Sequence, residues 1–500
     1  MRRFLLGACS LAAFGVAIFT APGCGSSEES TFDAGSSSGG DAACVGLVCP
    51  VDGGPKPGCV GLECKQLPCE NGGKTTVSGT VFDPAGKVPV YNATVYIPNT
   101  PLADIPAGAT GCDRCDAKVS GTPIAITATD TSGRFTLENV PVDANVPLVI
   151  QIGKWRRKIE IPNVGKCADT ALDATLTRLP KNRTEGNIPR IALTTGGADP
   201  LQCLLRKIGI DDSEFGVAGS DSRIHLYAGG GYNDGTGAHP ASKKFGATLN
   251  GGAAFGSAET FWSSVSNLKK YDVVLLSCEG GENETAAGAA KPASAKQALY
   301  DYAKEGGRLF ASHYHEVWLR KSPETLVSSI ATWADPEKPP PAVFVPPQKP
   351  ADVAVISDIS TSFPKAVAMK EWLANQSALS GGKLPIFDAR HNVDAVGANG
   401  LNWISAINPN AANSPAVQYM TFNTPVGATA DAVCGRVVFS NLHVGAGVQG
   451  TPPVADDPEG DFPASCKTVD LSAQQKALEF MLFDLSSCIQ KDDTAVTPPR

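Results

Sequence analysis

Apolar and polar residues alternate with two different periods along this chain. From Val77 the period is short. Val77-Ser-Gly-Thr-Val81, Ala93-Thr-Val-Tyr-Ile97, Arg134-Phe-Thr-Leu137 and Leu148–Ile152 read as strands. The turns between them are Asp83-Pro-Ala-Gly86 and Thr129-Asp-Thr-Ser-Gly133. Short strands at this spacing predict a small all-β sandwich over 76–180. Beyond Arg190, apolar strands alternate with helical stripes. Ile191–Thr195, Ile224–Tyr227, Tyr271–Leu276, Arg308–Ala311 and Gly435–Phe439 are the strands. Pro200–Ile208, Ala295–Lys304 and Ser472–Leu485 are the helices. Such units predict an α/β region over 188–490, with a doubly wound, mainly parallel sheet and a long insertion at 320–433. The expected fold class is multidomain, a sandwich followed by α/β.

Three segments precede the sandwich. Arg2 and Arg3 lead an uncharged apolar run to Ala21, of export-signal type and short for a membrane span. Residues 25–43 are rich in Ser and Gly and read as a flexible tether. Residues 44–75 form a cysteine-dense collar in which Cys44-Val-Gly-Leu-Val-Cys49 recurs as Cys59-Val-Gly-Leu-Glu-Cys64. The spacing permits zinc, but an exported chain favours disulfides.

Composition narrows the function classes. The formal charge is −8, and no basic face is visible in bulk, so nucleic acid is not an expected partner. Of fifteen cysteines, setting aside Cys9 in the signal and Cys24 leaves an odd number. At least one is then free or pairs between chains, and Cys278 is the expected free one. Cys112 and Cys115, in a Gly-rich insert, are expected in a structural bridge, with Cys167 a candidate partner. Lys154-Trp-Arg-Arg-Lys158 is the one dense basic patch. Either Trp155 stacks on a sugar there or it packs inward behind a solvated strand face.

Several segments resemble known families. Ala21-Pro22-Gly23-Cys24 resembles a bacterial lipobox, which implies lipid attachment at Cys24 and a membrane partner. Gly25 rather than Asp after it favours an outer-membrane lipoprotein or cell-surface location. V-x-G-x-V, A-x-V-x-I and T-D-x-x-G-x-F-x-L-x-x-V-P over Val77–Leu179 resemble carboxypeptidase regulatory-like domains. That implies a transthyretin-like, non-catalytic sandwich, often a spacer or a binder of sugar or protein. Tyr271-Asp-Val-Val274, Gly306-Gly-Arg-Leu309, Ser312-His313 and Gly435-Arg-Val-Val438 resemble the class I glutamine amidotransferase-like superfamily, of trehalose-utilisation type. The expected elbow cysteine is absent, since Ser312 or His313 stands there. The whole arrangement also resembles secreted proteins sometimes labelled tryptophan synthase alpha chain. That activity needs eight βα units, and the sequence does not supply them.

In a doubly wound sheet, ligands bind outside the carboxyl ends of the strands. The loops leaving those ends carry Gly196, Gly197, Cys278, Glu279, Ser312, His313, His315, Glu316 and His443, the expected pocket. All six histidines lie between 225 and 443. His313 and His315 would share a face if extended, and with Glu279 or His443 could ligate a metal. Hydrogen-bonded structure is the alternative, and neither a metal nor a cofactor is expected. A Cys278–His dyad is the nucleophilic alternative to a buried, inert thiol. Asp388-Ala-Arg390-His391-Asn392-Val-Asp394 reads as a loop ion-pair network or as pocket lining. The expected role is surface binding or scaffolding toward carbohydrate or envelope polymer. Hydrolysis of amide or glycosidic substrates is the alternative.

Overall fold

The structure is a computed structural model that describes residues 56, 58–235, 237–334, 355–387, 389–407, 415–445, 456–467, 469–491 and 493–496. Cys24, Cys44, Cys49, the tether and Asp388 lie outside the described residues. No described helix is long and apolar enough to cross a membrane.

The first region is all β. Its strands are β1 (Thr76–Thr80), β2 (Thr94–Pro98), β3 (Pro123–Ala128), β4 (Arg134–Glu138), β5 (Ala144–Ile152), β6 (Trp155–Asn163), β7 (Asp169–Ala171) and β8 (Gly186–Asn187). They form a three-stranded sheet, β4-β1-β7, and a five-stranded sheet, β3-β2-β5-β6-β8. In β4 the alternation is complete: Phe135 and Leu137 are buried while Arg134, Thr136 and Glu138 are exposed. The basic patch is the start of β6. Trp155 has no exposed surface and meets Phe483 edge-on at 5.8 Å, so it is not available to stack on a sugar. Lys154 is taken up by Asp272 at 2.5 Å.

The second region is α/β. Its strands are β9 (Ile191–Thr194), β10 (Phe215–Gly216), β11 (Ile224–Ala228), β12 (Tyr232–Asn233), β13 (Ala238–His239), β14 (Gly256–Ser257), β15 (Val273–Leu276), β16 (Arg308–Ser312), β17 (Ala331–Trp333), β18 (Val355–Ile359), β19 (Leu384–Ile386), β20 (Val393–Val396), β21 (Leu401–Ile407), β22 (Pro415–Thr424) and β23 (Gly435–Ser440). One eleven-stranded sheet runs β10-β11-β9-β15-β16-β23-β22-β21-β18-β19, with β14 beside β11. Pairing is parallel from β10 to β23 and antiparallel from β23 to β19. The insertion thus continues the main sheet in the opposite sense. Alternate residues face two cores. Ile191, Leu193, Val273 and Leu275 join one; Ala192, Val274 and Leu276 join the other. Helices Leu201–Lys207 and Ala473–Ser486 cover the first face, and Ala293–Lys304 covers the second.

The first of these cores also contains Val77, Val95 and Leu148 of the all-β region, so apolar packing runs across the seam. Disulfides tie it further. Cys112 bridges to Cys434 and Cys115 to Cys488. Cys167, the partner considered for that pair, bridges Cys69 instead. Cys59–Cys64 closes the collar loop, and Cys203 bonds Cys466. The Cys-x-x-Cys pair is therefore two separate staples, because the insert lies against the ends of β23 and the terminal helix.

At the same seam Asp83, in the turn after β1, faces Glu479 of the terminal helix, both essentially buried. Burial pushes Asp83 up to about 6, although the backbone N–H groups of Lys87 and Val88 oppose it. Burial, then the Asp83 charge, raises Glu479 well above the usual carboxyl range. Raised carboxyl values mean that the folded state holds the extra protons. The associated stability is present below about pH 4 and is lost as pH rises through about 6 and beyond. Glu479→Gln is therefore expected to raise stability at pH 8 and to leave it unchanged near pH 4. Denaturant melts at the two pH values check it.

Candidate functional site

Read in chain order, the parallel strands β11-β9-β15-β16-β23 stand as 2-1-3-4-5, so the order reverses between β9 and β15. Ligand sites in open α/β sheets favour the carboxyl side of such a reversal. Gly196 and Gly197 leave β9 there, and Cys278 and Glu279 leave β15. Gly196 is required by contact: a Cβ at that position would lie 2.1 Å from the Cys278 carbonyl oxygen. Ala198 N–H donates to the same carbonyl at 3.1 Å, which fixes the Cys278 peptide.

Cys278 is the free cysteine among the described residues, and it has no exposed surface. Its Sγ lies 3.2 Å from His313 Nδ1. His313 follows β16 with φ +42°, a left-handed conformation that few side chains other than Asn, Asp and His adopt. That turn swings the imidazole back over the end of β15. Burial, then the charges of His443 and Arg390, hold the His313 pKa well below its ordinary value. His443, from the loop after β23, brings its ring within 5.0 Å of the His313 ring. Cys278, His313 and His443 offer ligand atoms that all lie within 4.8 Å of one another, a geometry a metal could use.

The supports of these groups are explicit. Asp199, fully buried beside His443, accepts from Ser312 Oγ at 2.8 Å and from Val444 N–H at 2.7 Å. Gln474 on the terminal helix donates to the His443 carbonyl at 2.7 Å. Asn392, 3% exposed, lies near His313 and Glu316. Tyr232 covers Gly280, whose positive φ and missing Cβ admit the ring. Tyr314 completes the rim; burial and then the Cys278 charge raise its pKa, and Arg390 opposes them.

Not every expected residue joins this cluster. His313 and His315 lie in a 3₁₀ turn rather than an extended segment, so they do not share a face. His315 Nε2 donates to the Ser277 carbonyl at 2.8 Å, and its Nδ1 accepts from Trp318 Nε1 at 2.9 Å. Both nitrogens are committed, and the ring is structural. Glu279 is held by Lys291 at 2.7 Å and Asn283 at 3.0 Å, under the Gly229–Gly231 loop. Glu316 is fully buried, desolvation raises its pKa well above the usual range, and Arg320 lies 3.9 Å from it. Gly197 packs on the His239 carbonyl and shapes the floor. Ser312 supports Asp199 rather than occupying the sharp turn, which His313 takes.

Asp199, Tyr232 and Tyr314 carried no recognisable sequence signal. Arg390 and Asn392 did, within the polar run of the insertion. The structure divides that run: Arg390 and Asn392 reach the site, while His391 pairs with Asp394 at 2.6 Å.

No family model and no curated protein matches the chain. Among solved structures, a protein of Bacteroides uniformis described as ThuA-like is similar at 9% identity and a TM-score of 0.26, over 53% of this chain and 87% of that one. A cytoplasmic protein of Salmonella typhimurium is similar at 9% identity and 0.28, over 61% of this chain and 100% of that one. A ThuA-like protein of Parabacteroides merdae is similar at 12% and 0.29, over 60% and 91%. Similarity of that size carries no argument about chemistry.

Proposed function

We propose that this chain is an exported, lipid-anchored envelope protein whose α/β region carries a thiol–imidazole centre acting on amide or ester acyl groups. The observation that carries the reading is the 3.2 Å approach of Cys278 Sγ to His313 Nδ1 beside the strand-order reversal. Cys278 is the nucleophile and His313 the base. A Cys–His pair performs the same roles on unrelated folds.

The thiol proton passes to His313 Nδ1 as Sγ attacks the acyl carbon. The leaving group takes that proton from His313, and water then releases the acyl group from Cys278. The Gly280 N–H donates to Cys278 Sγ at 3.4 Å and favours the thiolate. A thiol centre suits an acyl carbon better than the acetal carbon of a glycoside.

We read 76–180 as a transthyretin-like, carboxypeptidase regulatory-like sandwich. We read 188–490 as a doubly wound, amidotransferase-like region. The facing sheets, the 2-1-3-4-5 strand order and the helices on both sheet faces support these readings. The nucleophile stands one strand earlier than the amidotransferase pattern, so its role is argued from geometry alone. Lipid at Cys24 and an outer-membrane location rest on the lipobox resemblance and the tether at 25–43.

A binding or scaffolding role toward an envelope polymer is the second reading. The observation that favours it is the burial of Cys278, His313 and His443. Purified full-length protein is expected to turn over an activated ester or anilide, and Cys278→Ala to abolish that turnover. Equal rates for the two proteins would remove the thiol reading and leave the binding role.

A further inference from the structure

The thiol chemistry uses Cys278 and His313. It does not require a second imidazole, yet His443 is held at the same place by two independent supports. Asp199 accepts from the adjoining Val444 N–H at 2.7 Å, and Gln474 donates to the His443 carbonyl at 2.7 Å.

We infer that Cys278, His313 and His443 form a site for one borderline-soft divalent cation, zinc by donor chemistry, and that its binding caps the thiol. The donor atoms lie within 4.8 Å of one another and come from the ends of three adjacent parallel strands, β15, β16 and β23. One sulfur and two imidazole nitrogens select zinc, copper or cobalt over magnesium or calcium, which want oxygen. No carboxylate is in the set, since Glu279 is committed to Lys291. Three protein ligands leave one tetrahedral position for water or a small anion. On binding, the cation displaces the Cys278 thiol proton to solvent and ties up the sulfur lone pair, so the same atom cannot attack an acyl carbon. The capping role rests on Cys278 being the reacting thiol; the metal site itself does not.

The test uses full-length protein depleted of metal by chelator and titrated with cobalt(II). A thiolate-to-cobalt charge-transfer band and tetrahedral visible bands are expected, saturating at one equivalent. Cys278→Ser is expected to lose the charge-transfer band. His443→Ala is expected to weaken cobalt binding by at least about 100-fold, because even outer-shell partners are worth about 10–100-fold. Zinc is expected to protect Cys278 from iodoacetamide, with chelator restoring the reaction. An absent charge-transfer band in the wild type, while Cys278 still alkylates, would overturn the metal site and leave the thiol reading standing. A saturable band with no acylation of the metal-free protein would overturn the thiol reading and the capping with it. Unchanged cobalt affinity in a folded His443→Ala would exclude His443 as a ligand and overturn the three-ligand site.

Discussion

Replacing Lys291 by Met is expected to destabilise the protein by about 3–5 kcal/mol, the usual consequence of leaving one half of a buried ion pair. Lys291 has no exposed side-chain surface, and Glu279, its partner at 2.7 Å, has 1%. The ammonium also donates to the Ala289 carbonyl at 3.0 Å and lies 5.1 Å from the Trp262 ring centroid. With Met at 291, the Glu279 carboxylate keeps Asn283 and loses its counter-charge. Adding Glu279→Gln removes the charge and is expected to restore most of the loss. Denaturant unfolding of the single and double variants checks both statements. Full stability of Lys291→Met would mean that Glu279 is solvated, and would return it to the list of groups facing a ligand.

That pair also shows where sequence reading stopped. Ala289-Ala-Lys-Pro292 looks like the exposed start of a helix, and nothing in it announces a buried cation. The strands of the α/β region were legible because each is a short apolar run closed by glycine or by polar residues, such as Val273–Leu276 before Ser277 and Cys278. From the parallel-sheet rule it followed that Cys278, His313 and His443 would stand at one edge, although up to 165 residues separate them. Their convergence within 4.8 Å agrees with that rule. What the pattern could not give was the direction of each side chain. One left-handed residue, His313, decides that its ring turns to Cys278, while His315, two residues on, turns to Ser277 and Trp318. Arg390 and Asn392 were legible as a polar run but had no address. Their segment joins β19, antiparallel to β18, to β20, antiparallel to β17, and local spacing does not encode that return.

His313→Asn is expected to slow acylation of Cys278 by about 10²–10⁴-fold, the usual worth of a positioned base. Asparagine tolerates positive φ, so the turn after β16 survives and the imidazole alone is lost. Single-turnover kinetics with an activated ester, alongside a thermal melt, separate the two effects. An equal rate at unchanged stability would show that Cys278 reacts without His313. Loss of rate together with loss of folding would assign His313 to structure.

The most direct test of the thiol centre is peptide mass mapping of the full-length protein after brief mixing with p-nitrophenyl acetate. An acetyl group is expected on Cys278, rising with a burst of nitrophenol and then decaying as water releases it. Acetyl groups confined to lysines, with Cys278 recovered as the free thiol at every time point, would contradict it.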